Sequence, residues 1–141
     1  MPETRDNTPA RTYALVIGAV LTLVGIVGFL VEASFDGDDR GTLILFDVNG
    51  VHNLVHLASG LAGLMAWKAG AAASRTYALV FGLVYLLVTI WGFALGDDGE
   101  ILGILPVNME DNVLHLLIAV AGLAAYAMSK DDTRTRTTAA A

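Results

Sequence analysis

The chain has 141 residues, of which 55% are hydrophobic and only 16% are charged, and its formal net charge is −6. A soluble domain usually carries about 25% charged residues, so this composition predicts that much of the surface faces lipid. The negative charge argues against nucleic-acid binding, which needs a basic face. The sequence contains no cysteine, which excludes disulfides, iron–sulfur clusters and thiolate metal sites.

The sequence repeats itself in two parts. Residues 11–29 (RTYALVIGAVLTLVGIVGF) match residues 75–93 (RTYALVFGLVYLLVTIWGF) at 13 of 19 positions, with an offset of 64. Residues 48–64 match residues 107–123 at 8 of 17 positions, with an offset of 59. Self-similarity of this kind indicates the architecture before any single element does. It predicts two tandem helical-hairpin repeats, one over about 11–70 and one over about 75–128, related by a pseudo-twofold axis.

Four segments have the character of membrane spans. Residues 13–31 and 77–95 each run for 19 residues without a charge, close to the roughly 20 that a spanning helix needs. Residues 51–67 and 113–128 are also apolar, but polar residues stand at their starts. The prediction is an all-α fold, a transmembrane four-helix bundle over 13–128. The segments 1–12 and 129–141 are predicted to be disordered tails.

The distribution of charge predicts the orientation. Seven of the eight Lys and Arg residues lie in the tails and the central turn, whereas ten of the fourteen acidic residues lie in the two other loops. The positive-inside rule therefore places both termini in the cytoplasm and makes the outer loops acidic. The cytoplasmic helix ends also carry aromatic residues, which predicts an aromatic belt at that interface. These are Tyr13, Trp67, Tyr77 and Tyr126.

Each outer loop contains a short apolar stretch, TLILFDV at 42–48 and ILGILPV at 101–107. Neither is long enough to cross a membrane. Each is predicted to be a tether that runs back into the next helix, with a lid over the bundle as the alternative. Asn49 and Asn108 follow these stretches, and asparagine is a favoured N-cap.

All three histidines lie near the predicted starts of the second and fourth helices. His52 and His56 are four residues apart, as are Asp111 and His115, so each pair shares a helix face. The repeat pairs His56 with His115. If the two helices face each other, these four side chains converge in the outer leaflet.

The favoured interpretation of this cluster is structural, because polar groups buried in lipid need partners inside the protein. A hydrogen-bonded network across the pseudo-twofold axis would tie the two hairpins together. Its predicted members, besides the histidines, are Asn49, Asn53, Asn108 and Asn112.

Two other interpretations stay open. Three imidazoles and a carboxylate suit zinc, which makes His52, His56, Asp111 and His115 candidate metal ligands. Alternatively, His56 and His115 at equal depth are candidate axial ligands of a haem inside the bundle.

The paired segments HNLVHLASGLAGL (52–64) and VNMEDNVLHLLIAVAGL (107–123) resemble those of a family of small prokaryotic membrane proteins, domain of unknown function 4383. The resemblance covers about residues 11–128. It implies a multi-pass protein of the cell membrane, and it implies no activity.

The sequence has no nucleophile–base pair and no phosphate-binding loop of recognisable pattern, so an enzyme is disfavoured. We expect a structural or accessory membrane protein without a cofactor, packed in the lipid bilayer within a homo-oligomer or a larger membrane complex. The alternative is a metal- or haem-binding membrane protein.

Overall fold

A computed structural model of the chain describes residues 7–36, 38–97 and 99–129. Within these ranges the chain forms four helices: α1 (Pro9–Val31), α2 (Gly50–Ala69), α3 (Ala71–Leu95) and α4 (Met109–Met128). Four short strands lie in the loops: β1 (Gly41–Leu43), β2 (Phe46–Val48), β3 (Gly99–Ile101) and β4 (Leu105–Val107). The order helix, β-hairpin, helix therefore occurs twice.

The prediction of a mostly helical fold is confirmed, and three helices, α1, α3 and α4, are long and apolar enough to cross a membrane. The helix α2 has 20 residues, a length of about 30 Å, and it packs along α1. Its composition is less apolar because it carries the buried residues His52, Asn53 and His56. The polar residues predicted at the start of this segment therefore face into the protein.

The first helix begins earlier than predicted. The side chain of Thr8 accepts a hydrogen bond of 3.3 Å from the backbone of Arg11, and Pro9 occupies the first helical turn, where proline is well tolerated. Residues 9–12, assigned above to a tail, therefore belong to α1. The remaining tail segments 1–6 and 130–141 lie outside the described residues.

The strands were not predicted. Each outer loop folds into an antiparallel hairpin, with Gly41 opposite Val48 in the first and Gly99 opposite Val107 in the second. Val48 and Val107 are almost fully buried, because β2 and β4 pack against each other and against helices of the opposite half. The apolar stretches at 42–48 and 101–107 thus form hairpins that cover one end of the bundle, here named the hairpin end.

Both hairpin turns contain a non-glycine residue in the left-handed backbone region. The φ angle is 62° at Ile44 and 58° at Leu102, and such a conformation costs roughly 1–2 kcal/mol for a residue with a side chain. The burial of Val48 and Val107 beside these turns offsets that cost.

Two tyrosines link the halves through the middle of the bundle. The hydroxyl of Tyr13 in α1 donates to the carbonyl of Ile118 in α4 at 3.0 Å, and that of Tyr77 in α3 donates to the carbonyl of Ser59 in α2 at 3.1 Å. The sequence repeat pairs these two bonds with each other. The predicted place of Tyr13 in an interfacial belt is wrong, because its side chain is buried in the core.

The helices α1 and α2 approach each other through glycine. A Cβ atom at Gly25 would lie 2.7 Å from the backbone nitrogen of Leu57 and 2.9 Å from the carbonyl oxygen of Asn53. Close backbone approach of this kind is how helices associate in lipid, where no hydrophobic force drives them together.

We expect Gly25→Ala to destabilise the folded protein by about 1–3 kcal/mol, because the new methyl group meets the backbone of α2 rather than a side chain that is free to move. Thermal unfolding in detergent measures this loss. Ala19→Val adds bulk at an exposed position of the same helix and is the matched control. Equal stability of the two variants would contradict the assigned helix contact.

Candidate metal centre

Asparagine side chains start both helices that carry the histidines. The side-chain oxygen of Asn49 accepts from the backbone of His52 at 2.9 Å, and that of Asn108 accepts from the backbone of Asp111 at 2.9 Å. Both residues are therefore N-caps, as predicted, since a capping oxygen satisfies a backbone N–H that the helix leaves open. These caps set the position of every polar residue that follows.

The other atom of each capping amide reaches across to the opposite half. Nδ2 of Asn49 donates to the carbonyl of Ile104 at 2.8 Å, and Nδ2 of Asn108 donates to the carbonyl of Leu45 at 2.8 Å. The acceptors lie in the turns of the two hairpins, at positions that the sequence repeat pairs. Each hairpin is thus held by the first residue of the helix in the other half.

The three histidines come together beneath the hairpins. One ring nitrogen from each of His52, His56 and His115 lies within 4.8 Å of the others. The ring centroids of His52 and His56 are 4.4 Å apart, and that of His115 is 6.2 Å and 6.3 Å from them. All three side chains are buried. The i, i+4 spacing in α2 supplies two imidazoles and α4 supplies the third.

The hydrogen bonds leave nitrogen lone pairs available in this cluster. Nδ1 of His52 lies 3.0 Å from the carbonyl oxygen of Asp47, and because a carbonyl only accepts, Nδ1 carries the proton and Nε2 keeps its lone pair. The Nδ1 atoms of His56 and His115 are buried and have no hydrogen-bond partner in the part of the chain that the structure describes. A buried polar atom without a partner costs roughly 1–3 kcal/mol.

The predicted ligand Asp111 is not part of this group among the described residues. Its side chain is buried, and its Oδ2 atom has no hydrogen-bond partner. The structure therefore brings together three of the four residues that the sequence suggested as metal ligands.

Asn53 and Asn112 lie inside their own halves. The amide nitrogen of Asn53 donates to the carbonyl of Glu32 at 2.8 Å, and its side chain packs against Gly28 of α1. Asn112 packs against Gly92 of α3 in the same way, but neither of its side-chain polar atoms has a hydrogen-bond partner among the described residues. Among these asparagines, the hydrogen bonds between the halves come from Asn49 and Asn108.

A cavity of about 690 Å³ adjoins the histidines. It lies between α2 and α3, with the three imidazoles at the hairpin end and Ala73 near the opposite end. The lining residues of α3 run from Ala73 to Val88, a distance of about 22 Å along the helix. Ile101 and Val107 of the second hairpin also line it. The cavity is long and almost entirely apolar apart from the imidazoles.

The cavity is associated with a difference between the two halves. Ser59 of α2 lines it, whereas the paired position in α4 is Ile118, which packs with Leu21 and Tyr13 in the core. The smaller side chain leaves space between α2 and α3, and the larger one fills the corresponding space between α4 and α1. The difference between Ser59 and Ile118 is a departure from the sequence repeat at the wall of the cavity.

Two further neighbours of the cluster were missed. Asp47 orients His52 through its backbone carbonyl, so no side-chain signal reveals its role. The ring of Tyr85 meets the ring of His115 edge-on at 5.0 Å. Tyr85 replaces Leu21 of the first repeat, and that change from leucine to an aromatic residue was the available signal.

The described part of the chain is a helical bundle in which three helices are long and apolar enough to cross a membrane, which is consistent with a membrane protein. The chain belongs to the family described as a domain of unknown function, DUF4383, whose sequence profile matches residues 11–128. This confirms the resemblance drawn from the paired histidine motifs. No curated protein and no solved structure matches the chain.

We expect Asn49→Asp to destabilise the protein by about 1–3 kcal/mol, because the carboxylate preserves the N-cap but removes the donor to Ile104 and faces that carbonyl without a proton. The paired change Asn108→Asp should cost less, since its amide bond to Leu45 is exposed. Chemical denaturation in detergent compares the two variants. Because aspartate preserves the cap in both variants, equal losses would contradict the expectation that the more buried bond between the halves contributes more.

Proposed function

We propose that this is an integral membrane protein that binds a divalent transition-metal ion, most simply zinc, through His52, His56 and His115. The observation that carries the proposal is the convergence of three buried ring nitrogens within 4.8 Å. Tetrahedral zinc, with bonds of 2.0–2.1 Å to nitrogen, places its ligand atoms about 3.4 Å apart. Small rotations of the imidazoles bring the nitrogens to that spacing.

The unpaired nitrogens favour a metal over a purely structural network. A network that ties helices together lowers the energy by pairing each polar group, yet Nδ1 of His56 and of His115 have no partner within residues 7–36, 38–97 and 99–129. The carbonyl of Asp47 supports His52 in the manner typical of metal-bound imidazoles, whose second nitrogen donates to a carbonyl or carboxylate. Three neutral nitrogen ligands leave a fourth position open.

The geometry favours an ion over a haem. A haem held by His56 and His115 needs free space between and around the two rings for its macrocycle. The ring of His52 lies 4.4 Å from that of His56 and 6.2 Å from that of His115, so a third imidazole occupies this space.

The structural role that the sequence favoured is proposed alongside the metal site. Asn49 and Asn108 exchange hydrogen bonds between the halves, which supports their part in a tie between two tandem helical-hairpin repeats. A bound ion shared by α2 and α4 would strengthen the same tie. We propose no catalytic reaction. Association in a homo-oligomer or with a larger membrane complex remains a proposal from the sequence.

Elemental analysis of detergent-purified protein tests the metal site. We expect about one zinc ion per chain in the wild type and a loss of at least about tenfold in His56→Ala/His115→Ala, because two of the three ligands are removed. Thr89→Val, which removes a different buried polar group, should keep its metal. A wild-type protein that takes up no zinc when dialysed against it at neutral pH would refute the site.

We further propose that all four helices cross the cell membrane, with both termini in the cytoplasm and the hairpin end outside. This is supported by the one-sided placement of basic residues and by the single residue, Gly70, between α2 and α3. So short a turn makes α2 return across the bilayer if α1 and α3 both span it.

Cysteine labelling tests this orientation without interference, because the chain has no cysteine. A membrane-impermeant maleimide applied to intact cells should modify Asp38→Cys, in the first outer loop, and should leave Asn7→Cys unlabelled until the cells are broken. The reverse pattern would place the hairpin end in the cytoplasm.

A further inference from the structure

We propose that the cavity between α2 and α3 holds a single-chain lipid with a carboxylate head, a fatty acid, whose carboxylate completes the coordination of the histidine-bound metal. The inference rests on the proposed metal site and names what occupies its fourth position. Three features of the cavity carry the argument: its shape, its lining and its charge.

The shape and lining of the cavity suit one hydrocarbon chain. Its 690 Å³ falls within the usual range of ligand pockets, about 300–1,000 Å³, but it is stretched over about 22 Å of helix α3. The walls are chiefly apolar side chains of α2 and α3, such as Val80 and Phe81. The lining also includes four hydroxyl-bearing residues, Ser59, Thr76, Tyr77 and Tyr85. An extended alkyl chain fills such a space and gains from each methylene it buries.

The cavity is reached from the side. Val55, Val80 and Val84 line it and are 40%, 54% and 49% exposed. They belong to α2 and α3, at the level of the apolar part of the bundle. In a bilayer this opening faces the acyl chains, so a ligand enters from the lipid rather than from water.

The charge of the site calls for an anion. A divalent ion on three neutral imidazoles keeps its full positive charge in a buried place, where an isolated charge is costly. Among the described residues, no carboxylate side chain lines the cavity, and the buried Asp111 lies outside the histidine group. A suitable ligand has a negatively charged oxygen at the imidazole end, which coordinates the metal. Its apolar tail runs toward Ala73 and packs against the cavity walls.

A comparison of the two halves supports the assignment of the cavity as a ligand site. Ser59 stands in the cavity wall, and Ile118 at the paired position is buried in the core. The cavity between α2 and α3 is therefore lined at the hairpin end by His52 and His56 of α2 and by His115 of α4. An isoleucine at residue 59 would fill part of this cavity, as Ile118 fills the corresponding space in the other half.

Cobalt substitution provides the test, because the visible absorption of Co²⁺ reports its ligands. Purified full-length protein is loaded with Co²⁺ and titrated with palmitate, with methyl palmitate as a tail without the anionic head and acetate as a head without the tail. We expect a saturable change in the cobalt spectrum with palmitate, none with methyl palmitate, and a change with acetate only at far higher concentration.

Variants separate the cavity from the metal. Ser59→Ile should retain Co²⁺ and weaken palmitate binding by about tenfold or more, because the alkyl chain loses its space. Ala62→Leu, a second lining position, should act in the same direction if Ser59→Ile does not fold. Ala58→Ile adds equal bulk at the neighbouring exposed position of α2, outside the cavity lining, and should bind palmitate as the wild type does.

The outcomes distinguish the two proposals. If Co²⁺ binds but its spectrum does not change with palmitate, the lipid site is overturned and the metal site stands. The same holds if the spectrum changes equally in the wild type and in both cavity-filling variants. Failure of Co²⁺ to bind overturns the metal site and the inference that rests on it. Palmitate that binds equally well after His56→Ala/His115→Ala identifies a general lipid groove and likewise overturns the inference.

Discussion

Polar groups inside this bundle must find their partners within the protein, because hydrocarbon offers none. Several polar groups of the chain are paired by hydrogen bonds that run from one half to the other. Tyr13 and Tyr77 bond to backbone carbonyls across the middle, and Asn49 and Asn108 bond to the opposite hairpins at one end. Association of the halves therefore depends on directional contacts in the middle and at both ends of the bundle, since the backbone of Ala10 also donates to the hydroxyl of Ser129 at 2.9 Å. Close glycine packing joins the helices of each half.

The two halves share these hydrogen bonds but differ at the histidine cluster and at the cavity. His56 and His115 occupy paired positions, but His52 is paired with Asp111 and Ser59 with Ile118. These differences place two imidazoles in α2, which together with His115 of α4 line the open space between α2 and α3. The corresponding interface of α4 with α1 is filled by core side chains such as Leu21 and Ile118. A symmetric scaffold thus carries an asymmetric site, in which one half supplies two imidazoles and the other supplies one.

Much of this arrangement was predictable from periodicity and spacing. Long uncharged runs predicted the helices, and the four-residue spacing of His52 and His56 predicted that both lie on one face of a helix. The hairpins were not predictable, because strands of three residues carry no usable alternation and Ile44 and Leu102 adopt a backbone conformation that their side chains disfavour. The exclusion of Asp111 from the histidine group depends on helix rotation, which residue spacing within one helix does not determine. The role of Asp47 lies in a backbone carbonyl, which has no signature in the sequence.

The turn between α2 and α3 has a mechanical consequence. A single residue, Gly70, with a φ angle of 115°, joins the two helices, and consecutive Cα atoms are only about 3.8 Å apart. The two helices that flank the cavity are therefore connected at one end, and their separation is fixed at that end by the short turn. Any change in the width of the gap must be greatest at the far tips, where the histidines and the two β-hairpins lie. Occupancy of the space and the packing of the hairpins are in this way mechanically linked.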